Sequence, residues 1–252
     1  MSNPIIKVDD LHKSYDNKEV VKGVSFEVAH GEVFGILGPN GAGKTTTLEM
    51  MEALRPIDKG TVNINGFDVD KDPQKVKYMI GVQLQSTAFM DKVKLTELLE
   101  QQAAAYGERV NAMEFLKEVD LEEKASSYIE SLSGGQKQRF SIAAALVHKP
   151  RVFFMDEPTT GLDPQARRNL WDLVKSISGK GITILLTTHY MEEAQLLCDR
   201  VAIMDEGKIV AMDSPQSLIK QLLAKGFKKQ QHVEQADLED VFIHLTGKEL
   251  RD

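Results

Sequence analysis

Residues 38–46 read Gly-Pro-Asn-Gly-Ala-Gly-Lys-Thr-Thr. Gly38, Gly43, Lys44 and Thr45 occupy every fixed position of the phosphate-loop pattern. Glycines let the backbone turn tightly and bring its N–H groups against phosphate oxygens. The start of the following helix adds partial positive charge at the same place. Pro39, Asn40, Gly41, Ala42 and Thr46 complete the cradle. Lys44 has the reach for β- and γ-phosphates, and Thr45 can offer its hydroxyl to Mg²⁺. This stretch reads as a nucleoside-triphosphate site.

A second cluster fits the same chemistry. Val152-Phe153-Phe154-Met155 is an apolar run that ends in Asp156 and Glu157. A buried carboxylate is costly without a partner. Beside a phosphate loop, Asp156 would meet Mg²⁺, directly or through water, and Glu157 could polarise an attacking water. Leu132-Ser133-Gly134-Gly135-Gln136-Lys137-Gln138-Arg139 offers a hydroxyl and two glycines leading into a helix at about Gly135, which suits a second phosphate contact.

The elements that must position these groups follow from periodicity. Ile5–Val8, Val20–Val28, Val33–Leu37 and Thr61–Ile64 read as strands between Gly, Asp and Asn turns. Thr45 to Leu54 reads as a helix. Leu95, Leu98, Leu99, Gln102 and Tyr106 follow helical spacing, as do Met113, Leu116 and Val119. Buried strands return at Val152–Met155, Ile182–Thr187, Val201–Met204 and Ile209–Ala211, with helices over Gln165–Ser176 and Met191–Leu197 between them. Apolar strands alternating with helices imply a parallel sheet covered on both faces. Ser214-Pro215 opens a further helix, and Leu238, Val241, Phe242 and Leu245 form a late apolar stripe.

Composition sets limits. The 252 residues carry a net charge of −7, which disfavours a nucleic-acid partner. The apolar runs are too short to span a bilayer, and no basic-then-apolar leader is expected at the N-terminus. The single Cys198 reads as a small buried apolar residue in a reducing compartment.

Leu132 to Arg139 resembles the signature sequence of the ATP-binding cassette (ABC) family. The resemblance covers nearly the whole chain. It implies an α/β fold: a RecA-like phosphate-loop NTPase core with a parallel sheet, an N-terminal antiparallel β subdomain and an all-helical insert. The core would comprise residues 1–84 and 148–211, the insert 85–147 and a helical tail 212–252. It also implies roles. Tyr15 matches the aromatic that stacks on adenine, and Gln85 the glutamine that touches Mg²⁺ and water. Asp163, in Gly161-Leu162-Asp163-Pro164, lies in a loop that crosses a dimer interface. His189 matches the switch histidine at the γ-phosphate, and Ser133–Gln136 would face the nucleotide held by the other copy.

The residues before Gln85, Val82-Gln83-Leu84, depart from the aromatic and proline found in many relatives. The stretch from Asp237 to Gly247 resembles the tails of bacterial ABC-2-type exporter subunits, which act in multidrug, antibiotic, polysaccharide or lipid export. The implied protein binds ATP and Mg²⁺ and dimerises on ATP. It drives integral membrane permease subunits from the cytoplasmic face of the cell membrane. A soluble cassette ATPase of protein or iron–sulfur assembly, or an importer ATPase, are the other readings.

Overall fold

The computed structural model describes residues 3–83 and 89–227. The stripe at 238–245 and Gln85 lie outside the described residues. The chain divides into one compact unit up to Leu218 and a second from Ile219 on.

The first sheet is antiparallel. β1 (Ile6–Tyr15) and β2 (Lys18–Val28) are joined by Asp16 and Asn17, both with positive φ (47° and 63°). Two left-handed residues match the right-handed twist of a hairpin. β3 (Val33–Leu37) leads into α1 (Lys44–Met51). β4 (Lys59–Ile64) and β5 (Phe67–Asp68) then extend the first sheet in the order β2-β1-β4-β5. α1 stops at Met51, short of the expected Leu54. Ala53 takes a left-handed φ of 55°, and the Leu54 N–H bonds back to the Glu49 carbonyl at 2.9 Å.

The second sheet carries the site. α2 (Pro73–Met79) precedes β6 (Ile80–Gln83), and β7 (Val152–Asp156) pairs with it in parallel. Between them lie α3 (Leu95–Ala105), α4 (Ala112–Glu118) and α5 (Gly134–Leu146), with two 3₁₀ turns and one bridge between Lys94 and Tyr128. The expected insert is therefore helical. α6 (Pro164–Ser178), β8 (Thr183–Thr188), α7 (Met191–Leu197), β9 (Arg200–Asp205), β10 (Lys208–Asp213) and α8 (Pro215–Ala224) follow. The strand order is β10-β9-β3-β8-β7-β6, parallel except for the β9–β10 hairpin.

Two apolar cores flank this sheet. Successive side chains of a strand point to opposite faces. Val152 and Phe154 join Phe26, Phe34, Leu48 and Met51 on one side. Phe153 and Met155 join Leu99, Phe140, Trp171 and Val174 on the other. The insert helices thus share a core with one face of the parallel sheet. Each large apolar side chain buried this way contributes about 1.5–3 kcal/mol. α6 presents Leu170, Val174 and Ile177 inward at helical spacing. Asp163 caps it by accepting from the Ala166 N–H at 2.8 Å, with Pro164 in the first turn.

Candidate active site

Three adjacent parallel strands, β3, β8 and β7, deliver the site residues from their carboxyl ends. Ligands of open α/β sheets bind at such ends. The phosphate loop follows β3, Asp156 and Glu157 close β7, and His189 follows β8. The Gly38 N–H bonds to the Thr188 carbonyl at 3.2 Å and anchors the start of the loop. A Cβ at Gly38 would run into the Met204 carbonyl oxygen, so only glycine fits. Gly43 takes a φ of 98° and leaves α1 without a side-chain cap. The first amides of that helix are thereby available to an anion. The tip of the β9–β10 hairpin braces the loop, with the Gly207 N–H on the Ala42 carbonyl at 3.0 Å.

Lys44 is 4% exposed, and its ammonium donates to the carbonyls of Gly38 (2.9 Å) and Pro39 (3.1 Å). It also pairs with Glu157 Oε1 at 3.1 Å. Glu157 Oε2 lies 3.1 Å from His189 Nδ1 and accepts from the Thr160 hydroxyl at 3.3 Å. Burial pushes the Glu157 carboxyl up. The hydrogen bond and charge of Lys44, with His189 and Thr160, outweigh burial and hold it below the usual glutamate range. Glu157 has a left-handed φ of 46°, and its N–H donates to Thr187 Oγ1 at 3.0 Å. A non-glycine residue keeps such a φ only where its surroundings fix it.

The Thr45 hydroxyl sits 3.1 Å from Asp156 Oδ2, and the Thr187 hydroxyl donates to Asp156 Oδ1. Among the described residues no group of three or more His, Cys, Asp or Glu converges as a metal centre. One hydroxyl and one carboxylate beside a phosphate cradle suit Mg²⁺, which keeps waters and takes substrate phosphates as ligands.

A cavity of about 480 Å³ joins Asn40, Gly41, Gly43, Lys44, Thr45, Thr46, Glu157, Thr160 and His189. Ser133–Gln136 do not line it. Ser133 caps α5, accepting from the Gln136 N–H at 3.3 Å while the Gln136 side chain accepts from the Ser133 N–H at 3.0 Å. The helix opens at Gly134, and Gly134 lines a separate cavity with Lys137, Thr160 and Gly161. Tyr15 stands at the end of β1, 36% exposed, does not line the phosphate cavity, and has Lys13 and Arg55 near its ring.

Sequence reasoning passed over four residues. Thr187 holds Asp156 and Glu157, and its signal was the Thr187-Thr188-His189 run. Thr160 bonds Glu157. Gln138 Nε2 donates to the Pro158 carbonyl at 2.7 Å, tying α5 to the loop after β7. Glu52, at the end of α1, is 2% exposed with neither carboxyl oxygen hydrogen-bonded. Burial, then the charges of Asp156 and Glu49, push it up to about 8.

Residues 21–160 match the family model described as "ABC transporter". The chain is 40% identical over 223 residues to the linearmycin resistance ATP-binding protein LnrL of Bacillus subtilis, covering 86% of this chain and 72% of that one. It is 42% identical over 224 residues to Nod factor export ATP-binding protein I of Paraburkholderia xenovorans, covering 87% and 74%. A dimeric ATP-binding cassette in a post-hydrolysis state, bound to ADP and Pi, superposes with a TM-score of 0.75 at 25% identity, over 83% of this chain and 98% of that one.

Proposed function

The chain belongs to the ABC transporter family, as an ATP-hydrolysing subunit of its exporter type, and from that premise we propose that two copies close head-to-tail over ATP. Cassettes of this family bind ATP or ADP and work as dimers with membrane components. One observation carries the head-to-tail reading. None of Ser133–Gln136 lines the phosphate cavity of its own chain, while Gly134 opens on an adjoining cavity, so a partner's Ser133–Gln136 would be the group that covers the phosphates.

The residues then act as follows. The loop amides and the start of α1 hold the phosphates, and Tyr15 stacks on the base. Lys44 turns from Glu157 to the β- and γ-phosphates. Glu157, released, accepts a proton from the attacking water, with its orientation fixed by Thr187 and Thr160. His189 holds the γ-phosphate, and Asp163 contributes at the dimer interface. Thr45, Asp156 and Gln85 would hold Mg²⁺, which when bound supplies charge neutralisation at the phosphates. Under the same reading, residues 1–84 and 148–211 carry the nucleotide, 85–147 carry Ser133 to the partner copy, and 212–252 form a tail.

Hydrolysis removes the γ-phosphate bridge and opens the dimer, which drives permease subunits at the inner face of the membrane. Among the described residues no helix is long and apolar enough to cross a bilayer. Export, rather than import or protein assembly, is favoured by the names of LnrL and of the Nod factor protein. The test is tagged Glu157→Gln held in ATP and Mg²⁺ and recovered from solubilised membranes. It should hydrolyse ATP at least ~10²-fold more slowly and bring down a protein with apolar spans of ~20 residues. Near-normal turnover would remove Glu157 from its role, and recovery of soluble proteins alone would overturn the transporter assignment.

A further inference from the structure

His189 is lightly restrained beside Glu157. It follows the end of β8, is half-buried, and has one hydrogen-bonded contact, through Nδ1. What holds its ring is the next residue. The Tyr190 ring lies against the imidazole, with centroids 4.1 Å apart and planes tilted by 38°. Tyr190 is itself fixed, its N–H on the Thr188 hydroxyl at 3.0 Å and its carbonyl accepting from the Ala194 N–H at 3.3 Å. Over the Tyr190 ring sits the Arg167 guanidinium, 4.6 Å from the centroid. Arg167 Nε is buried and has no hydrogen-bond partner. Among the described residues Arg167 makes no salt bridge. The ring face is the favourable contact that the site offers it.

Arg167 lies one turn into α6, and its N–H bonds to the carbonyl of Asp163 at 3.0 Å. Four contiguous groups therefore run from the loop at Asp163 to the acid: Arg167, Tyr190, His189 and Glu157. We infer that Arg167 and Tyr190 are positioning residues for His189, a side-chain path by which the placement of the loop at Asp163 sets the imidazole against Glu157 and the γ-phosphate. This rests on the roles proposed above for His189 and Glu157. Neither Arg167 nor Tyr190 lines the phosphate cavity, so neither should govern how tightly ATP binds.

The experiment is steady-state ATP hydrolysis by the full chain in Tyr190→Phe, Tyr190→Leu, Arg167→Lys, Arg167→Met and the Arg167→Met/Tyr190→Leu double variant, with His189→Ala alongside. Tyr190→Phe keeps the ring and should turn over as wild type does. Tyr190→Leu and Arg167→Met should lose about tenfold in kcat, the rate equivalent of a half-buried cation–π contact between the exposed and desolvated limits. KM for ATP should stay within about twofold, since ground-state binding is untouched. Arg167→Lys should restore most of the rate, because an ammonium also sits over a ring face. The double variant should be no slower than the worse single one, as expected for one path.

Unchanged kcat in Tyr190→Leu or Arg167→Met, or equal losses in Phe and Leu, overturns the inference. If Tyr190→Leu fails to fold, the Lys and Met replacements at Arg167 decide it alone. An inactive His189→Ala beside active Tyr190→Leu sinks only the positioning pair. A fully active His189→Ala sinks the reading of the site as well.

Discussion

Lys44, Glu157 and His189 form a self-neutralised row, in which each group that phosphate or water would engage is held by a neighbour. Asp156 is held the same way, by Thr45 and Thr187. The contribution of Thr187 can be measured. Thr187→Val keeps the shape but removes the hydroxyl that bonds Asp156 and receives the Glu157 N–H. An unmet buried group costs about 1–3 kcal/mol, so hydrolysis should fall roughly five- to hundredfold while ATP binding largely persists. Unchanged kcat in that variant would show that Thr45 alone keeps Asp156 in place. The phosphate loop was legible in the sequence because its chemistry is contiguous along the chain. Thr187 was not, because its role depends on the parallel register that sets it beside Asp156. Tyr15 and Asp163 were singled out only through resemblance, since the roles proposed for them act on a ligand or partner outside their own fold.

Among the elements, the apolar strands β3, β7 and β8 could be read directly, since strands covered on both faces carry uninterrupted apolar runs. α2 was missed. It is a seven-residue helix with Pro73 in its first turn, too short to show periodicity. The end of α1 hid a second surprise. Glu52 follows Met50-Met51 at a helix end, yet it is buried, while the loop beyond it folds back onto the Glu49 carbonyl. In the folded chain it keeps its proton up to about pH 8, against 4.5 for the ordinary group. Between these values the unfolded chain ionises more readily. Stability must therefore fall as pH rises through that window and level off above it. Glu52→Gln abolishes this slope. Its melting temperature should match wild type near about pH 5 and exceed it above about pH 8, by the equivalent of a few kcal/mol. Parallel melting curves for the two proteins across that range would contradict a buried, protonated Glu52.

At the scale of the whole molecule, the proposed dimer gives one chain two half-sites. The signature turn at Ser133 and the phosphate cradle at Lys44 are built on different elements, and Gly134 of the turn lines a cavity that meets the phosphate cavity at Thr160. Gln138 ties them mechanically through the Pro158 carbonyl. The helical insert shares its apolar core with the parallel sheet, so closure over ATP must move both together or strain that contact. The parallel core and helical insert were readable in advance from their periodicity, and the antiparallel sheet only through the resemblance. The composite nature of the site was legible only through the resemblance, which sets Ser133–Gln136 against the nucleotide of the other copy.

The most direct test mixes two inactive chains. Lys44→Ala disables the cradle, and Ser133→Arg blocks the signature turn, so each alone should hydrolyse almost no ATP. In a head-to-tail pair of the two, one site combines the intact cradle of the Ser133→Arg chain with the intact turn of the Lys44→Ala chain. The mixture should therefore regain measurable hydrolysis. If it stays as inactive as its components, while both still fold and the Ser133→Arg chain still binds ATP, the composite site is contradicted.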